Sequence, residues 1–114
     1  MSRSTREYVQ HMLDEIAFLQ AHIPLITKAQ LLHDEVLKRA VIRSIEIIGE
    51  AIKQLPENLK VKYPDVAWRQ IAAMRDRLIH GYFGIDYDIV WDVLITKIPL
   101  LEQQMRAIVQ TEYP

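Results

Sequence analysis

Apolar residues recur along this chain at spacings of three and four, the repeat of a helix that buries one face. No stretch alternates apolar and polar positions for long enough to pair as strands. From Thr5 to about His22 the set Val9, Met12, Leu13, Ile16 and Leu19 predicts a first helix, closed by Pro24, which has no N–H to continue the ladder. A second pattern runs through Leu31, Leu32, Val36, Leu37, Ala40, Val41, Ser44, Ile45, Ile48, Ala51, Ile52 and Leu55 and stops at Pro56. Its apolar stripe is wide, and at roughly 1.5 Å per residue the helix outlasts what one partner in so small a molecule covers. A break near His33 or a second subunit is therefore expected.

The segment Pro56 to Asp65, PENLKVKYPD, reads as a loop with proline near both ends. Asp65 stands where an N-cap is needed, and Val66, Ile71, Met74 and Leu78 predict a third helix ending near Gly81. Asp86 or Asp88 caps a last helix through Ile89, Val90, Val93, Leu94, Ile98, Leu101, Met105 and Ile108, which Pro99 should kink. The expected architecture is an all-α, four- or five-helix up-and-down bundle, with residues 1–114 forming one domain.

Composition narrows the function. Half of the 114 residues are apolar and a quarter charged, a globular balance. The absence of cysteine excludes a disulfide scaffold, a thiolate zinc site and a cysteine nucleophile. The polar opening MSRSTREYVQ lacks the apolar core of a signal peptide, and no apolar run is long enough to span a bilayer, so a cytoplasmic protein without membrane contact is expected. A net charge of −1 lacks the basic excess that holds duplex DNA by phosphate neutralisation. Contact with nucleic acid must be local or built by an assembly.

Chemistry is densest in Arg75-Asp76-Arg77-Leu78-Ile79-His80-Gly81-Tyr82. On a regular helix Arg75 and His80 diverge by roughly 140°, so they converge only where the helix ends. Gly81 can supply that ending through a left-handed cap, freeing His80 and letting Tyr82 swing back towards the arginine. A guanidinium fork, an imidazole that titrates near neutrality and a phenol would then surround a volume suited to a phosphodiester. The other reading is structural: His80 as a partner of the helix dipole, and Arg75 and Arg77 with Asp76 as a solvated ion-pair patch.

The string MRDRLIHGYFGIDYDIVWDVL resembles the HepT-like branch of the HEPN proteins, whose signature is Arg, a polar residue, three more residues, His, any residue, Tyr. Arg75, Asp76, His80 and Tyr82 keep that spacing, and LKRAVIRSIEIIGEAIKQLP upstream also looks like the family, so the likeness spans nearly the whole chain. The resemblance implies a HEPN-like fold and the toxin of a toxin–antitoxin pair of the type VII kind. It implies a metal-independent endoribonuclease without a cofactor, encoded with a small nucleotidyltransferase (MNT) antitoxin that transfers AMP onto Tyr82. Bulk and negative charge would then sit beside Arg75 in place of an RNA phosphate.

Such a nuclease would use the ribose 2′-OH as nucleophile and leave a cyclic phosphate, with His80 moving the proton and Arg75 stabilising the phosphorane. Tyr82 and Asp76 would orient substrate or support Arg75, while Arg77 points elsewhere. One histidine cannot make both proton transfers at once, so a symmetric homodimer, or a higher oligomer containing it, would bring a second His80 to the cleft. The alternative is a non-catalytic subunit that binds a nucleotide or the nucleotidyltransferase.

Glu46 and Glu50, with Arg39 and Arg43 on the same face, form either a solvated or interface ladder or a support for the Arg75 cleft. His11, His22 and His33 repeat every eleven residues, but neighbours lie roughly 16 Å apart along a helix, too far to share a metal. Asp86, Asp88 and Asp92 fit capping and the helix dipole better than a metal. Trp68, Trp91, Tyr87 and Phe83 read as core or interface anchors, with Phe83, next to the motif, the one candidate for stacking.

Overall fold

The computed structural model describes residues 4–80 and 84–114, and for Ile79 and His80 the backbone alone. Every regular element among the described residues is helical. Helix α1 (Thr5–His22) starts where the Ser4 hydroxyl accepts from the Glu7 N–H and gives way to a 3₁₀ turn, Ile23–Leu25, at Pro24. The long second pattern is two helices, α2 (Lys28–His33) and α3 (Glu35–Gln54), as the expected break near His33 requires. Asp34 makes the break. Its extended backbone ends α2, and its carboxylate accepts from the Leu37 N–H to open α3 at 2.9 Å.

The segment expected to be a loop holds a helix, α4 (Glu57–Lys62). Pro56 precedes its first turn, where a missing N–H costs nothing, and Leu59 is its buried anchor. Lys62 and Tyr63 both donate to Glu112, at 2.7 and 2.6 Å, which ties this segment to the end of the last helix. Those partners lie about fifty residues away, beyond the reach of local pattern. Helix α5 (Trp68–His80) begins three residues after Asp65, so Asp65 is not its cap; Ala67 accepts the first helical bond, from the Ile71 N–H. The Trp68 indole N–H donates to the carbonyls of Lys60 and Tyr63, fixing this entry.

Asp86 caps α6 (Tyr87–Asp92) through the Asp88 N–H. A π-helical turn, Val93–Lys97, joins it to α7 (Ile98–Glu112). The widened turn directly precedes Pro99 and relieves the clash of its ring with the preceding turn, which is how the helix takes the proline expected to kink it.

Four long elements therefore carry the bundle: α1, α3, α5 and the composite of α6 with α7. Glu15 on α1 accepts from Ser44 on α3, while Tyr8, earlier on α1, shares a cleft with Glu50 and Ala51, later on α3; the two helices are antiparallel. Arg6 faces the Tyr113 ring at the far end of α7, so α7 also runs against α1. The buried residues Val9, Met12, Ile16 and Leu19 of α1 join Val41, Ile45, Ile48 and Ile52 of α3 and Leu94, Leu101, Met105 and Ile108 in one apolar cluster. Among the described residues no helix is long and apolar enough to cross a membrane.

Candidate functional site

Arg75 is positioned by a close crossing of α5 over α3. At the crossing point stands Gly49, buried, where an added Cβ would lie 2.2 Å from the Arg75 Cβ and 2.9 Å from its Cγ. Only a residue without a side chain lets the two backbones approach so closely. The arginine stem thus lies on the glycine, and the guanidinium emerges at the edge of α3.

Two carboxylates hold it there. Arg75 Nη2 meets Glu50 at 3.0 Å and Nη1 donates to Asp76 at 3.0 Å. Nε is buried with no partner among the described residues. Among the described residues two of its five guanidinium donors are committed, which leaves the fork able to take a further anion. Asp76 also accepts from Lys53 of α3 at 2.5 Å. Hydrogen bonds from Lys53 and then Arg75 hold its carboxyl below the ordinary value. The result is a chain of alternating charge, Glu50, Arg75, Asp76, Lys53, stitched across the α3–α5 contact.

Beside this chain opens a cleft of about 330 Å³. Arg75 forms its end, Arg43, Glu46, Ile47, Glu50 and Ala51 of α3 one wall, and Tyr8 and His11 of α1 the other. Glu46 pairs with Arg43 at 3.7 Å, so the α3 ladder serves both readings offered for it: Glu46 within the ladder, Glu50 on the arginine. Arg77 is exposed and faces a different groove, with Met74, Ile85 and Ile89.

Of the four motif residues, the structure brings Arg75 and Asp76 into contact. The α5 backbone is helical through His80. The His80 side chain, and Gly81 with its expected cap, Tyr82 and Phe83, lie outside the described residues. Trp68 is buried, while Trp91 and Tyr87 are half-buried against the core, as anchors should be. The three spaced histidines have separate surroundings: His22 packs on Phe18, His33 bonds the Ala29 carbonyl, and His11 lines the cleft. Among the described residues no group of three or more acidic or histidine side chains is placed to hold a metal.

Sequence reasoning missed Gly49, Lys53, Tyr8 and His11 as neighbours of Arg75. Gly49 carried a signal, being a lone glycine deep inside a helical run, which costs helix stability unless close packing requires it. The others had none, because their approach is set by how helices cross.

The profile of the family described as Ribonuclease HepT-like matches residues 12–108. A protein of Caldanaerobacter subterraneus subsp. tengcongensis, named "Putative RNase TTE0752", is 44% identical over 110 residues, covering 96% of this chain and 98% of its own. One of Methanocaldococcus jannaschii, named "Putative RNase MJ0127", is 46% identical over 93 residues, covering 82% of this chain and 74% of its own. A third, of Thermococcus cleftensis, bears the name "Probable ribonuclease HepT" and is 38% identical over 102 residues, covering 90% of this chain and 93% of its own. No solved structure matches. With the family profile spanning most of the chain, and both α3 and the Arg75 helix inside it, this all-α protein belongs to the ribonuclease HepT-like family.

Proposed function

We propose that this chain, acting as a single HEPN-like domain, is a metal-independent endoribonuclease and the toxin of a toxin–antitoxin pair. The observation that carries the reading is the Arg75 guanidinium, fixed by Glu50 and Asp76 at the end of an open cleft with donors uncommitted among the described residues. Its fork suits the non-bridging oxygens of a phosphodiester, where charge builds in the transition state.

In the proposed reaction the ribose 2′-OH attacks the adjacent phosphorus, and the P–O5′ bond breaks to leave a 2′,3′-cyclic phosphate and a 5′-OH. His80 takes the proton from the 2′-OH, and His80 of a second protomer gives one to O5′. This division of labour calls for a symmetric homodimer with both motifs facing one cleft. Asp76 holds Arg75, and Tyr82, whose ordinary pKa of about 10 makes it a poor proton carrier, orients the phosphate. Activity would be cytoplasmic. A cognate nucleotidyltransferase antitoxin would silence it by transferring AMP from ATP to the Tyr82 oxygen with release of pyrophosphate, setting a phosphate beside Arg75.

The test is RNA cleavage by purified protein, made without its antitoxin, in excess chelator beside His80→Ala, with end analysis of the products. Cyclic phosphate ends that vanish in a folded His80→Ala variant support the reading. Cleavage retained by that variant, or none by the folded, unmodified dimer, refutes it. In the second case the chain would be a nucleotide- or partner-binding subunit.

A further inference from the structure

The cleft beside Arg75 has a chemistry that anchoring a phosphate leaves unused. Tyr8 and His11, one turn apart on α1, present two aromatic rings along one wall. The α3 lining adds the aliphatic side chains of Ile47 and Ala51 and the carboxylates of Glu46 and Glu50. A phosphate alone needs neither aromatic rings nor an apolar surface. A base does: rings and aliphatic side chains cover its faces, and carboxylates accept from its N–H edges or from ribose hydroxyls. At about 330 Å³ the space is at the small end of ligand sites, which run from about 300 to 1,000 Å³. It suits one nucleoside rather than a duplex.

We infer that this cleft is a nucleoside subsite, in which Tyr8 and His11 pack on the base of the nucleotide whose phosphate is held by Arg75. The inference rests on the ribonuclease reading for its natural ligand, a residue of single-stranded RNA. It explains how a chain with a net charge of −1 selects RNA: recognition comes from stacking and one arginine fork rather than from a broad basic surface. Tyr8, half-buried against the core, is the fixed platform, and His11, at the exposed rim, covers the open side.

The test compares two probes by calorimetric titration of the whole protein: adenosine 3′-monophosphate and inorganic phosphate, with wild type, Tyr8→Leu and His11→Ala. Stacking of one base on an aromatic side chain makes the nucleotide bind about tenfold or more tighter than phosphate in the wild type. That ratio falls towards one in Tyr8→Leu and is reduced in His11→Ala, an exposed position whose replacement keeps the fold. Equal affinities of wild type for the two probes, or an unchanged ratio in His11→Ala and in a folded Tyr8→Leu, would overturn the subsite. Neither probe is turned over, so the outcome is separable from the parent reading. Nucleotide preference in a protein that cuts no RNA leaves the subsite standing and removes the ribonuclease, and cleavage without nucleotide preference does the reverse.

Discussion

Replacing Gly49 with alanine adds one methyl group at the point where α3 and α5 cross. The new Cβ would sit 2.2 Å from the Arg75 Cβ. Carbon atoms in good contact are about 3.5–4.0 Å apart, so α5 must retreat by about 1.3 Å or more. The nearest obstacle is the root of the arginine side chain, and the Ile71 carbonyl lies 3.4 Å away, so swinging the guanidinium aside gives little relief. Overpacking of this kind costs about 1–3 kcal/mol. Alanine returns about 1 kcal/mol through its better helix propensity. The net loss of up to about 2 kcal/mol corresponds to a Tm lower by up to about 10 °C in a chain of this size. If Arg75 stabilises charge as proposed, the effect on function is larger than on stability, because displacing such a group by about 1 Å costs on the order of 10²-fold in rate. Thermal unfolding and initial rates of RNA cleavage on the same preparations measure both. Arg75→Gly provides an internal control for stability: it removes the Cβ and Cγ that the methyl would strike, so Gly49→Ala should cost less in that background. An unchanged or raised Tm together with wild-type cleavage in Gly49→Ala would refute the close crossing as the device that places Arg75.

Glu50→Gln keeps the shape beside Arg75 but removes a negative charge from the cleft. The Glu50 side chain is 48% exposed, so stability should change by less than about 1 kcal/mol, while kcat falls as the guanidinium loses an anchor; an unchanged kcat would count against this role. Asp76 has a folded-state pKa below its ordinary 3.8, so the stability from its bonds to Lys53 and Arg75 is present above about pH 4 and is lost as the pH falls through the lower folded value. A Tm profile from pH 6 to pH 2 should therefore fall more steeply at its acid end in wild type than in Asp76→Asn; parallel profiles would contradict the coupling. Trp68→Phe removes the indole donor from the carbonyls of Lys60 and Tyr63 and leaves a gap, a loss of about 1–3 kcal/mol readable as a lower denaturant midpoint.

Much of this molecule could be read along the chain. The buried faces of α1, α3 and α7 lie within the predicted apolar stripes, because a helix turns a spacing of three and four into a contiguous surface, although Val36, counted in the α3 stripe, is exposed. Ser4, Asp34 and Asp86 end or begin helices through bonds to backbone N–H groups two or three residues away, so those boundaries are local events. Helix α4 escaped the same logic: its six residues are too few to show a period, and the bonds of Lys62 and Tyr63 to Glu112 that hold this segment come from the other end of the chain.

The site divides in the same way. Arg75 and Asp76 stand out by residue type and motif spacing, properties of a short stretch of chain. Which carboxylates bind Arg75, which lysine braces Asp76 and which aromatic rings line the neighbouring cleft follow from where α3 meets α5 and α1. Gly49 sets one of those meetings through a side chain it lacks, and Glu50 on the arginine, Lys53 on Asp76, and Tyr8 and His11 along the cleft come from positions 22 to 67 residues away from Arg75 in sequence. Local pattern determined the long helices and named the candidate residues. Packing decided their neighbours, because a contact between helices depends on crossing geometry summed over the whole core.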